Sequence, residues 1–241
     1  MSGHSKWATI KRKKGRTDAE RGKVFTKIGR ELAVAVKLGG ADPSANSRLR
    51  DVIVKAKAAN MPNDNITRSI KKASGELANI NYEEIVYEGY GAGGTAVIVE
   101  CLTDNKNRTA AEIRHILDKA GGSLGTTGCV SYMFESKGVI AAEEKSALSE
   151  DDAMMLALEC GADDFAASED GYEVLTAPDS LAAVRGALEG KGFVIISAEL
   201  ARIPTNTVSP DGQNLDKLRR MLDNLEDNDD VQRVWHNAEI E

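Results

Sequence analysis

The segment GHSKWATIKRKKGR, residues 3 to 16, holds six Lys or Arg, one Trp and no acid. Lys6, Lys11, Arg12, Lys13, Lys14 and Arg16 are closely spaced cations with few apolar residues between them. That composition suits the gripping of a polyanion, whose condensed counterions are released on binding. Trp7 has two uses: its indole can stack on an exposed base or ribose, or it can anchor the arm on apolar surface. A second candidate is TDNKNRTAAEIR, residues 103 to 114. Asn105, Lys106, Asn107, Arg108 and Arg114 surround a predicted helix start, which suits an anion or phosphate. The same residues also serve as a plain helix start, with Thr109 and Glu112 as a capping box and Asp104 or Asn107 tying the turn. The two uses are compatible.

Other chemistry finds little support. GYGAGG places Gly89, Gly91 and Gly94 in a GxGxxG pattern, but a dinucleotide site needs a helix after the glycines. A β-branched run follows instead, so a hairpin turn is expected. His4, His115 and His236 lie far apart with no ligand-like neighbours, and no metal is expected. The sequence has no GxSxG, HExxH or P-loop motif. The acidic runs SEDD and DNLEDNDD read as solvated faces or turns. Neither an enzyme nor a cofactor is expected.

The net charge of −7 conceals a division. Through Gly75 there are 18 Lys and Arg against 6 Asp and Glu, or +12; afterwards there are 13 against 32, or −19. A basic segment joined to an acidic one points to an anionic partner for the former. Cys101, Cys129 and Cys160 form no CxxC pair and are odd in number, as expected of reduced thiols. The basic start is followed by Thr17, Asp18, Glu20 and Arg21, not by the apolar core of a secretory signal, and no run is long enough to span a bilayer. A cytoplasmic protein is expected.

The cations must be positioned by helices. Phe25, Ile28, Leu32 and Val36 recur at helical spacing, with Lys23, Lys27, Arg30 and Lys37 nearly opposite. Gly39-Gly40 ends this helix and Asp42-Pro43-Ser44 starts the next. There Leu49, Val52, Ile53 and Ala56 face inward, flanked by Arg48, Arg50, Lys55 and Lys57. After Met61-Pro62-Asn63-Asp64, a short third helix buries Ile66 and Ile70 and leaves Arg68, Lys71 and Lys72 to solvent. Beyond Gly75, YEEIVYEGY and TAVIVECLTD read as a hairpin, a helix runs from about Thr109 to Lys119, and CVSYMF reads as a third strand. From Gly138 the order βαββαβ predicts a ferredoxin-like unit. The preceding ββαβ lacks a helix and a strand, which the C-terminal Leu215, Leu218, Leu222 and Leu225 helix and VQRVWHN can supply. The expected fold class is therefore α+β: a basic three-helix bundle (1–78), a middle domain (79–136 with 204–241) and an inserted ferredoxin-like domain (137–203).

GHSKW, RGKVFTKIGRELAVAVKLGGADP, NSRLRDVIVKAKAANMPNDNITRSIKKASGE, YEGYGAGGTAVIVECLTDNKNRT and AEIRHILDKAGGSLG resemble the YebC/PmpR family, essentially end to end. Its mitochondrial relatives include a translational activator of cytochrome c oxidase. The resemblance implies a three-domain, non-catalytic α+β protein that acts in gene expression. The implied partner is DNA, as a transcriptional regulator, or ribosomal or transfer RNA, as a translation factor on the ribosome. The start at GHSKW without a transit segment suits a bacterial member. Gly15 departs mildly from the family by weakening a helix that many members continue through the arm. The residues expected at the nucleic acid are Lys6, Trp7, Lys11, Arg12, Lys13, Lys14, Arg16, Lys23, Lys27, Arg30, Arg48, Lys55, Arg68, Lys71 and Lys72. Asn63 and Asn65 join Arg68 and Lys71 if the third helix reads base edges.

Overall fold

The structure is a computed structural model that describes residues 18–75, 80–143 and 148–240. The chain forms two compact units. Among the described residues, one holds 18–131 together with Pro210–His236, and the other holds Tyr132–Ser209 together with 237–240.

The first unit opens with three helices, α1 (Asp18–Gly39), α2 (Ser47–Ala58) and α3 (Asn63–Ser74). Ile28, Leu32, Val36, Leu49, Val52, Ala56, Ile66 and Ala73 are buried in one cluster, with Phe25, Ile53 and Ile70 packed against it. Met61 from the α2–α3 turn and Tyr82 from beyond the bundle complete it. The helix boundary differs from the expected one. Asp42 instead closes a turn by accepting from the Ser44 backbone N–H at 2.9 Å, and α2 starts after Asn46. Asn46 is buried, and its carboxamide serves both helices. Its Oδ1 accepts from the Leu49 N–H at 3.0 Å, while Nδ2 donates to the Ala35 and Gly40 carbonyls, each at 2.8 Å. One side chain thus satisfies orphan groups at the end of α1 and the start of α2.

The first sheet contains β1 (Glu83–Tyr90), β2 (Ala96–Thr103), β3 (Ser123–Leu124) and, from the C-terminal part of the chain, a strand at Val231–His236. The order places β3 beside β1, β1 beside β2, and β2 beside the C-terminal strand, all antiparallel. Gly93 and Gly94 take positive φ in the β1–β2 connection, so GYGAGG is a hairpin turn. β2 is buried along nearly its whole length, as its apolar run requires. Helix α4 (Lys106–Lys119) starts three residues before Thr109, with Asn105 as its cap in place of the Thr109–Glu112 box.

CVSYMF is not the third strand. Ser131–Met133 is a 3-10 turn, and the place beside β1 is taken by Ser123–Leu124. Gly89 permits this approach, because a Cβ there would strike the Ser123 carbonyl. Glu88 supplies the rest of the reason. It is buried, and its carboxylate accepts from the backbone N–H groups of Gly128, Val130 and Ser131 at 2.8, 3.0 and 2.8 Å. Burial by itself would push its pKa up, yet the N–H donors of Gly128, Val130 and Ser131 hold it below the ordinary carboxylate value.

The second unit runs β4 (Phe134–Ala142), α5 (Glu150–Glu159), β5 (Asp164–Ser168), β6 (Gly171–Thr176), α6 (Leu181–Gly190) and β7 (Ile195–Pro204). Its sheet has the order β5-β6-β4-β7 with antiparallel neighbours, which is the ferredoxin-like arrangement. Ile140, Ala153, Ala157, Val174, Val184 and Leu188 fill the space under the helices. Tyr172 meets Phe165 and Phe193 with ring centroids 5.1 and 6.0 Å apart. The chain then re-enters the first unit through α7 (Gly212–Asp227) and β8 (Val231–His236). Leu218, Met221, Leu222 and Leu225 of α7 are buried, while Leu215 is half-buried.

Asn46→Ala is expected to cost about 2 kcal/mol, combining a lost cap with carbonyls left unpaired. The exposed Ser47→Ala should stay within about 0.5 kcal/mol. Urea midpoints of the two variants against wild type check this, and equal midpoints would refute the role of Asn46.

Candidate nucleic-acid interface

The cations expected at a nucleic acid fall into three groups. Lys6, Trp7, Lys11, Arg12, Lys13, Lys14 and Arg16 lie outside the described residues. A second group is engaged within the first unit. Lys23 pairs with Asp227 at 2.9 Å, and Lys27 Nζ donates to the Glu226 carbonyl at 2.6 Å. Arg30 pairs with Asp230, Arg48 with Glu84, and Lys55 with Glu31. Lys37 donates to the Ile80 carbonyl at 3.2 Å and to Asn81. The stripe on α1 that reads from sequence as a solvent-facing cationic surface therefore meets an acidic turn of its own chain.

The third group lies on α3. Arg68, Lys71 and Lys72 are exposed and, among the described residues, make no ion pair. At helical spacing they fall within an arc of about 100°, opposite the inward Ile66, Ile70 and Ala73. Asp64 shares that arc one turn earlier and is exposed. α3 follows α2 after a four-residue turn, Ala59 to Pro62, in which Asn60 adopts φ 57°. Pro62 precedes the helix with no side-chain cap, while Asn63 is exposed and Asn65 half-buried.

At the second predicted patch, the side chain of Asn105 accepts from the Arg108 N–H at 3.1 Å and so caps α4. Lys106, Asn107 and Arg114 are exposed. Arg108 turns back to pair with Asp104 at 2.8 Å and Asp230 at 2.9 Å. Arg108 and Arg30, assigned by sequence to separate patches, thus converge on one carboxylate.

That carboxylate was missed by sequence reading, because Asp230 ends the run DNLEDNDD and looks like part of a solvated face. Its side chain is only 4% exposed. Besides the two guanidinium groups, the hydroxyls of Thr109 and Thr103 lie 2.7 and 3.1 Å from Oδ2. Its backbone carbonyl accepts from the Leu102 N–H at 2.7 Å, fixing the start of β8 against the end of β2. The Arg30 guanidinium also stands 5.9 Å from the centre of the Tyr82 ring. Burial alone would raise the Asp230 pKa. Hydrogen bonds from Thr109, Arg108 and Arg30, with the Arg30 charge, hold it at about 2. The adjoining Cys101 thiol is pushed up to about 12 by burial and by the Asp230 charge, so it is inert as a nucleophile at neutral pH.

Among the described residues, no group of three His, Cys, Asp or Glu side chains is placed to hold a metal ion, and no helix is long and apolar enough to cross a membrane.

The folded chain keeps Asp230 ionised to lower pH than the unfolded chain does. Its contribution is complete above about pH 4 and is lost as pH falls through about 2. It is on the order of 2 kcal/mol by linkage. Asp230→Asn, which leaves two cations short of their partner, should cost about 3–5 kcal/mol at neutral pH. It should also flatten the difference in acid stability between pH 4 and 2, read from unfolding midpoints of wild type and variant. Parallel curves would show that Asp230 is not the group responsible.

Residues 5–76 match the family described as TACO1/YebC protein N-terminal domain, and residues 82–238 match TACO1/YebC second and third domain. A probable transcriptional regulatory protein of Pelotomaculum thermopropionicum is 59% identical over 242 residues, covering all of both chains. One from Acetivibrio thermocellus is 58% identical over 238 residues, covering 98% of each. The crystal structure of a conserved hypothetical protein from Aquifex aeolicus superposes with a TM-score of 0.81 at 46% identity, covering 94% of this chain and 93% of that one. Sequence and fold agree over nearly the whole length, and the chain belongs to the TACO1/YebC family.

Proposed function

We propose that this protein is a non-enzymatic, cytoplasmic regulator of gene expression that binds nucleic acid, acting as a DNA-binding transcriptional regulator of the YebC type. The observation that carries this reading is α3. It is the second helix of a short-turn pair and presents Arg68, Lys71 and Lys72 to solvent, unlike the cations of α1. A recognition helix needs this arrangement: an apolar face that fixes it to the bundle and a polar face that reaches phosphates and base edges. The names of the relatives support the transcriptional role. The domain division at 1–78, 79–136 with 204–241, and 137–203 belongs to this reading, with the bundle and arm as the gripping end.

A second reading, binding to ribosomal or transfer RNA on the ribosome, is favoured by one observation. Lys106, Asn107 and Arg114 give the first unit another exposed polar surface on α4. A factor that recognises RNA by shape uses several such surfaces.

Replacing Arg68, Lys71 and Lys72 together by Gln should weaken duplex binding about tenfold or more in 0.1 M salt and reduce the salt slope by about 2 to 3. Fluorescence anisotropy over a salt series measures both, and an unchanged slope would remove α3 from the interface. Crosslinking with sequencing of DNA and RNA from the same cells separates the two targets. Enrichment at discrete promoters, absent from ribosomal RNA, is expected for the first reading. Enrichment on ribosomal or transfer RNA without promoter preference would replace it with the second.

A further inference from the structure

The end of α7 breaks a local rule. Glu226 and Asp227 sit in its last turn, where the helix dipole disfavours acids, and no basic residue is present there. Asp229 and Asp230 follow after Asn228. Such a local conflict calls for a compensating contact, and α1 provides it. Lys23 reaches Asp227, Lys27 donates to the Glu226 carbonyl, and Arg30 donates to the Asp229 carbonyl at 2.8 Å and pairs with Asp230. Three cations on one side of α1 thus meet acceptors clustered at and just after the end of α7, groups that occupy them as phosphates would.

The contact is graded in strength. Arg30 and Asp230 have side chains 18% and 4% exposed, so their pair is shielded from solvent. Lys23 and Asp227 are 41% and 61% exposed. An exposed pair of this kind is weak and screened by salt, so a competing anion can displace it. A polyanion competes well because each neutralised phosphate releases counterions.

We propose that the acidic turn after α7 is an internal competitor for the cationic side of α1. Asp227 and its neighbours hold Lys23 and Lys27 in place of phosphates, while Arg30 and Asp230 keep the turn seated. The device lowers indiscriminate binding and leaves α3 as the open surface. Full engagement of a polyanion then includes the transfer of Lys23 from Asp227 to phosphate, without movement of the helix. This inference rests on the nucleic-acid reading given above.

The test uses the full chain and a labelled mixed-sequence duplex, alongside a single strand of the same sequence. The double variant Asp227→Asn with Asp229→Asn should bind about 3- to 10-fold tighter in 0.1 M salt, with a salt slope steeper by about one. Lys23→Gln should weaken wild-type binding modestly, because Lys23 gives up Asp227 to reach phosphate, and should abolish the gain when placed in the double variant. A gain that survives Lys23→Gln would show a general charge effect and overturn the contact, as would no gain at all. Failure of wild type and every variant to bind either probe would overturn the nucleic-acid reading itself, and this inference with it. Binding by wild type with no variant effect would overturn this inference alone.

Discussion

Asp230 is the point at which the basic and acidic parts of the chain meet. It sits at the start of β8 and receives Arg30 from α1, Arg108 and Thr109 from α4, and Thr103 from the end of β2. Elements from three separated stretches of the sequence are thereby set against one another within one unit. A buried charge of this kind is a weak source of net stability but a strong constraint on geometry, because removing any partner leaves another uncompensated. The pairing also explains why a bundle with so many cations lies in the same compact unit as the first sheet.

Apolar contacts accompany the polar network. Leu218, Met221, Leu222 and Leu225 of α7 are buried in the first unit. Tyr82 extends the bundle core beyond its own helices. Glu88 performs a similar task at the other end of the sheet by gathering three backbone N–H groups from the loop before Tyr132. Buried carboxylates thus organise backbone at two places that sequence patterns read as ordinary strand or acidic surface.

These pairings divide the cationic surface by function. Lys23, Lys27 and Arg30 of α1 are occupied by the chain's own acceptors, whereas Arg68, Lys71 and Lys72 of α3 face solvent. A net charge of +12 through Gly75 therefore overstates the charge available to a partner. The proposed interface narrows to α3, the arm and the exposed residues of α4, and its strength depends on how firmly the acidic turn holds α1.

The sequence by itself determined much of this protein. Helical spacing placed Ile28, Leu32 and Val36 inward, and the alternation of strands and helices from Gly138 onward identified a ferredoxin-like unit, because periodicity reports burial directly. The glycines of GYGAGG were legible as a hairpin turn from the β-branched run that follows. Only the tertiary structure decided the rest. Whether Lys23 faces water or Asp227, whether Asp230 is solvated or buried, and whether CVSYMF pairs as a strand or is drawn aside by Glu88 all depend on partners more than forty residues away or on the opposite end of the chain. Charge–charge and carboxylate–backbone contacts have no period, so nothing local announces them. The sequence pattern pointed to Asp42-Pro43-Ser44 as the start of the second helix, and Asn46 emerged as its cap only from the structure, because its reach to Ala35 and Gly40 requires the two helices to be folded against each other.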